Sequence, residues 1–237
     1  MLIDLHTHTI ASGHGTTNTI NDMAKEASLR HLQTLGISDH APAIPGAAKA
    51  SYFRSLKYAP KKRFSTSILF GTEANIIRYD GTLDLDQYTL SCLDYGIASL
   101  HTPCLPPGTK EENTKCYINA MKNPYITIIG HPDDSRYILD YKELVKAAKE
   151  HHVILEVNES SLSPSGYRGN SISCYQTLLP LCIYYQVPIL IGSDSHGTQH
   201  IGECDHAKKL LTALHFPSEL ILNQHPQKLK SYLNIQI

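Results

Sequence analysis

Seven short apolar runs punctuate this 237-residue chain, at residues 2–5, 34–38, 67–72, 95–100, 125–129, 153–157 and 188–191. They are continuous rather than alternating, the pattern of strands covered on both faces in a parallel sheet. Longer amphipathic stretches separate them. Helices are expected over 20–34, with Thr19 as N-cap and Asp22 three residues on, and over 47–58, 111–121, 141–150 and 172–185. Pro180 should kink the last of these. Residues from 203 onward read as terminal helices, and 78–86 as a loop or short hairpin. Strands that alternate with helices close most simply into an α/β barrel with one strand fewer than the usual eight. The length suits one core of barrel size, so a single domain over 1–237 is expected. No repeat, low-complexity segment or linker interrupts it.

Composition narrows the partners. Hydrophobic residues make up 41% and charged residues 18%, a globular balance. The net charge is -1, and Lys61-Lys62-Arg63 is the longest basic run. Neither nucleic acid nor an anionic membrane is therefore expected as partner. The N-terminus lacks a basic, then long apolar, leader, and no window approaches the ~20 apolar residues of a membrane span. The six cysteines are scattered without C-x-x-C pairs, as expected of reduced thiols in a cytoplasmic protein.

The fourteen histidines are distinctive for where they fall. The first apolar run is followed by His6, His8 and His14, and the second by Asp39 and His40. Glu73 follows the third, His101 the fourth, and His131 and Asp133 the fifth. Glu156 and Asn158 end the sixth, and Asp194 and His196 follow the seventh. A parallel barrel brings all these ends to one face, where barrel enzymes build their sites. Singly, each has an ordinary reading: His6-x-His8 as polar surface, His40 as a hydrogen-bonded core histidine, Glu73 as half of an ion pair. Together, His6, His8, His14, His40, Glu73, His101, His131, Asp194 and His196 form a metal-ligand set. Imidazole and carboxylate without thiolate suit Zn, Mn or Fe. The set exceeds what one ion needs and fits two to three divalent ions, which in clusters lie ~3.5–4 Å apart.

Six segments carry a resemblance to a known family. They are Asp-Leu-His-Thr-His-Thr at 4–9, Ile-Ser-Asp-His at 37–40, Gly-Thr-Glu-Ala-Asn-Ile at 71–76, Leu-His-Thr-Pro at 100–103, Gly-His-Pro-Asp at 130–133 and Gly-Ser-Asp-Ser-His at 192–196. In order and kind they resemble the PHP-domain phosphoesterases, specifically the YcdX-like phosphatases, and the Pro-Gln-Lys-Leu-Lys-Ser-Tyr-Leu ending is similar too. The resemblance implies a distorted (β/α)7 barrel, TIM-like, with a trinuclear metal centre. It assigns His6, His8, Glu73 and Asp194 to one ion. Glu73 bridges to a second, shared with His101 and His131, and His14, His40 and His196 hold a third. Two departures stand out: Thr102 follows His101 where relatives often carry an acidic residue, and Arg168 is the only basic residue of the 158–170 loop.

The expected chemistry is hydrolysis of a small phosphate monoester, with a metal-activated water as nucleophile and Glu73 and Asp194 as the carboxylates behind it. Arg168 is the candidate for a bidentate phosphate clamp. Asp39 and Asp133 are candidates for orienting the histidines. A phosphodiesterase, exonuclease or histidinol-phosphate phosphatase of the same fold is the near alternative. An amidohydrolase or TatD-like enzyme would not call for His14, His40 and Asp194-x-His196 as a further cluster. A non-catalytic metal-binding module would not need its ligands at strand ends. A homo-oligomer is compatible with all of these.

Overall fold

Tyr95 sits wholly inside the sheet, and the strands wrap around it. Its hydroxyl donates to the Leu5 carbonyl at 2.7 Å. A Cβ on Gly71 would lie 2.5 Å from its ring, so the third barrel strand can pass only as glycine there. In this computed structural model, residues 2–233 are described. Met1 and residues 234–237, the ends of the expected domain, lie outside the described residues.

The strands are β1 (Ile3–Asp4), β2 (Thr7–His8), β3 (Thr34–Ile37), β4 (Lys62–Arg63), β5 (Thr66–Asn75), β6 (Tyr95–Ser99), β7 (Ile128–Ile129), β8 (Ile154–Asn158), β9 (Ile189–Gly192) and β10 (Ser195–His196). Seven of them run parallel in the order β1-β3-β5-β6-β7-β8-β9, and β4 adds antiparallel to β5. The helices are α1 (Ile20–Leu29), α2 (Ala50–Ser55), α3 (Gln87–Leu90), α4 (Lys110–Met121), α5 (Tyr141–Glu150), α6 (Glu159–Leu162), α7 (Ser171–Tyr185), α8 (Asp205–Ala213) and α9 (Pro226–Lys230). The fold is a nearly closed TIM-like barrel of seven parallel strands. No helix among the described residues is long and apolar enough to cross a membrane.

Among the described residues, closure between β1 and β9 comes without an eighth barrel strand. At one level the Asn223 side chain accepts from Ile191 N at 2.7 Å and donates to the Ile3 and Ile191 carbonyls at 2.9 and 2.8 Å. At the other level β2 and β10, the onward runs of β1 and β9, pair in parallel and match His8 with His196.

Three apolar clusters fill the structure. Ile3, Leu5, Tyr95, Ile97, Ile128, Ile154 and Leu190 pack together in the lumen. Outside, one cluster lies under α4, α5, α7 and α8, and another under α1 and α2. Fully burying each such aliphatic side chain stabilises by ~1.5–3 kcal/mol.

The elements differ in places from their sequence reading. The Thr19–Asp22 capping box forms, but α1 stops at Leu29 rather than running to 34. The donors of Gln33 and Thr34 go instead to the Leu2 carbonyl, and β3 begins. The strand expected over 125–129 is two residues long, because a turn from Asn123 to Ile126 takes its first half. Helix α7 continues through Pro180. Pro180 and Gln176, whose carbonyl loses its helical donor, are both exposed, so water can replace the missing bond.

Candidate metal centre

Alternation along each strand positions the site. Side chains two residues apart share a face, and the inward face changes from apolar to polar towards the strand's end. Ile154 faces the lumen, and Glu156 and Asn158 follow it at two-residue steps; on β9, Leu190 gives way to Gly192 and then Asp194. His6 and His8 share a side in the same way and are buried. A parallel bridge sets His40 beside Glu73. The β2–β10 register stacks the His8 and His196 rings at 4.1 Å.

Glu73 stands at the centre, and both its oxygens meet imidazoles. Oε1 lies 2.8 Å from His131 Nε2 and 3.3 Å from His101 Nε2. Oε2 lies 2.8 Å from His40 Nδ1, 3.4 Å from His6 Nε2 and 3.6 Å from His8 Nε2. Asp194 Oδ1 adds contacts of 3.2 Å to His8 Nε2 and 3.6 Å to His6 Nε2. His14 is at the exposed edge, its ring 5.0 Å from those of His40 and His196. Two positions of the cluster hold backbone in the left-handed region, His131 at φ 29° and Asp194 at φ 54°. For His131, which precedes a proline, that conformation is costly and must be imposed by its surroundings.

Groups behind the cluster set which nitrogen faces it. Glu156 Oε1 takes His6 Nδ1 at 2.6 Å, and its Oε2 accepts from His131 N at 2.6 Å. A Cβ on Gly192 would come 2.1 Å from Glu156 Oε1, so a side chain there would displace this carboxylate. Asn75 Oδ1 takes His101 Nδ1 at 2.7 Å. The Ser12 hydroxyl donates to Asp39 at 2.8 Å, so it receives His8 Nδ1–H at 3.0 Å. Asp39 thus reaches His8 through Ser12 and also accepts from Thr9 and Tyr52. Asp133 accepts from the Tyr175 hydroxyl at 2.6 Å, and that hydroxyl in turn receives Asn158 N–H. The sequence reading marked Glu156 and Asn158 as strand ends without a role and passed over Ser12 and Asn75. The i+2 step from the lumen face is the signal that could have found Glu156 and Asn75.

Arg168 is buried. Its Nη2 donates to Asp194 Oδ2 at 2.8 Å, and Nη1 to Asn158 Oδ1 and Ser161 Oγ. Its Nε–H makes no hydrogen bond, and Nη2 carries a second proton. Arg168 therefore keeps unused N–H donors while lining the cavity above the cluster, which measures about 370 Å³.

Charge within the cluster is strongly coupled. Burial would raise the Glu73 carboxyl, but the charges of His101, His6 and His40 hold it well below its ordinary range. Burial likewise opposes ionisation of Asp194, yet His6 and Arg168 hold it well below normal. Burial would lower His6, but Glu156, Asp194 and Glu73 raise it well above the usual imidazole range. Burial and neighbouring histidines push His8 well below that range, and burial is the largest cause lowering His101, His196 and His14.

The donor set fits divalent metal. His6, His8 and Asp194, then His40, Glu73 and His101, then His8, His40 and His196 each place ligand atoms within 4.8 Å of one another. His6 Nε2, His8 Nε2, His40 Nδ1, Glu73 Oε2, His101 Nε2 and His196 Nε2 are buried without a hydrogen bond. Buried polar atoms are almost always paired, and these converge on one another instead.

The sequence profile of the PHP domain matches residues 4–160, more than half of the chain. The protein belongs to the PHP domain family. A "Probable phosphatase" of Clostridium novyi (strain NT) is 42% identical over 232 residues, covering 98% of this chain and 94% of the relative. One of Clostridium acetobutylicum is 41% identical with the same coverage. The PHP barrel also resembles the crystal structure of histidinol phosphate phosphatase from Lactococcus lactis, solved with zinc, L-histidinol and phosphate. The TM-score is 0.62 at 17% identity, over 91% of this chain and 94% of that one. Arg168, Asp194 and His196 lie beyond the stretch matched by the PHP profile. The β2–β10 register and the Arg168–Asp194 bond join them to it.

Proposed function

We propose that this PHP protein is a metal-dependent phosphomonoesterase acting on a small phosphorylated substrate, with two to three divalent ions of zinc, manganese or iron held by the histidine cluster. The observation that carries the reading is Glu73. Its two carboxylate oxygens face five imidazoles at the ends of the barrel strands, an arrangement suited to bridging ions rather than to a salt bridge. His6, His8 and Asp194 flank one side of Glu73, His101 and His131 the other, and His14, His40 and His196 border the cavity. Bound there, divalent ions would supply charge neutralisation for a phosphate dianion and a lowered water pKa. The protein's own part is positional. Glu156, Asn75 and Ser12 hold the imidazole Nδ1 atoms from behind, so that the Nε2 lone pairs point inward. Arg168, which lines the cavity, would grip a phosphate oxygen with its unused donors, while its Nη2–H bond keeps Asp194 in position. Asp39 steadies the Ser12–His8 link, and Asp133 the Tyr175–Asn158 link.

The test is hydrolysis of p-nitrophenyl phosphate by metal-reconstituted protein, before and after chelation, and by Glu73→Ala, with bound metal counted in each. Chelator-sensitive turnover is expected. Glu73→Ala should lose metal and lose more activity than the ~10–100-fold typical of a supporting group. No turnover with two or more ions bound per chain would overturn the monoesterase reading.

A further inference from the structure

The cavity above the cluster has one-sided chemistry. None of the described residues lining it is acidic. The Glu73 and Asp194 carboxylates lie beneath, turned to histidines and to Arg168. Ile44, Pro45 and Pro103 give the lining an apolar part, and Arg136, Tyr167 and Arg168 give it a basic rim. The Tyr167 ring packs against both guanidinium groups, with its centroid 4.9 Å from Arg168 Cζ and 5.4 Å from Arg136 Cζ. Arg136 is held by one edge. Its Nε and Nη2 donate to the buried Asp134 carboxylate at 2.8 and 2.6 Å. That bidentate anchor fixes its direction, and with the side chain 35% exposed the Nη1 end stays available.

A phosphoryl group needs the metal cluster and Arg168. It does not need Arg136, a second cation fixed at the rim. A leaving group bearing an ammonium would meet a guanidinium there and no carboxylate in the lining, because Asp134 is buried behind Arg136 and already bonded to it. One bearing a carboxylate or a further phosphate would find a ready donor. Resting on the phosphomonoesterase reading above, we infer that the preferred substrate is a phosphate monoester whose alcohol carries a second anionic group, bound by Arg136.

Binding and turnover of matched probes test this. Benzylphosphonates bearing hydrogen, a para-carboxylate, a para-phosphonate or a para-aminomethyl group share one scaffold and differ in the charge of the para substituent. Their affinities for the metal-loaded protein would be measured by calorimetry at fixed ionic strength, alongside hydrolysis of the corresponding phenyl phosphates. The anionic probes should bind about tenfold tighter than the unsubstituted one, and the aminomethyl probe about tenfold weaker. Whether carboxylate or phosphonate binds better identifies the second group. Arg136→Gln, which can still donate to Asp134, should bring the series within about twofold. Arg136→Lys should keep the order. Equal wild-type affinities, a preference for the ammonium, or an anion preference that survives Arg136→Gln would overturn the inference while leaving the phosphomonoesterase reading intact. Charge-selective, Arg136-dependent binding without hydrolysis would sustain the inference about the rim and overturn the monoesterase reading. Failure of every phosphonate to bind, with no hydrolysis of the phenyl phosphates, would overturn both.

Discussion

Three histidines of the centre, His6, His8 and His101, are set from behind, and the strength of that support can be measured one side chain at a time. Glu156 is the sharpest case, because its two oxygens serve His6 Nδ1 and His131 N at once. Glu156→Gln preserves shape but puts an amide where two donors converge. The altered variant should bind metal ~10–100-fold more weakly, as read by competition with a chromophoric chelator. Unchanged affinity would mean that His6 is oriented by packing alone. The candidate ligands themselves are legible in the sequence, because His6-x-His8 and Asp194-x-His196 announce themselves over three residues. Glu156 was not, because the side chain it supports is 150 positions away. Arg168 is intermediate. Its charge stood out in the 158–170 loop, but its bond to Asp194 appears only when that loop and β9 meet.

Among the elements, the strand ends were readable and the strand packing was not. Continuous apolar runs followed by ligand-type residues identify parallel strands with functional ends, whatever their exact length. The glycine of β5 illustrates what stays hidden. Gly71 looks like an ordinary strand glycine until Tyr95 on β6 fills the space its Cβ would take. Gly71→Ala therefore overpacks the lumen and should cost ~1–3 kcal/mol, measured by urea unfolding of metal-free protein. A neutral result would show that the Tyr95 ring can move aside. Pro180 marks the converse limit. A local rule expects Pro180 to disturb the helix, yet α7 runs on through it, with Pro180 and Gln176 exposed so that water can take the lost bond.

For the whole molecule, metal and fold should be linked, since the candidate ligands come from strands along the entire chain. An ion at a thousand times its dissociation constant adds ~4 kcal/mol to stability. Chelation should therefore lower the melting temperature by roughly 8–16 °C for a chain of this size. No shift would mean that the barrel is fully formed without its metals. Alkali should act through the buried thiols. Burial pushes Cys116 up to about 11 and Cys182 up to about 12, from an ordinary 9.0. The folded state then holds these protons longer than the unfolded chain does. Their contribution is complete below pH 9.0 and falls as pH rises from there towards the folded values. Urea midpoints of metal-free protein at pH 8, 9.5 and 10.5 should decline, and Cys182→Ala should flatten that decline; an unchanged slope would place the alkaline loss elsewhere. The order of strands, their parallel sense and the ligand types at their ends follow from the sequence by itself, because periodicity and motif spacing act over a few residues. Only the tertiary structure decided how the barrel closes, through Asn223 and the β2–β10 pair, and which groups stand behind His6, His8 and His101. Those contacts join residues up to 220 positions apart, and no local pattern encodes a partner that arrives only when the chain folds.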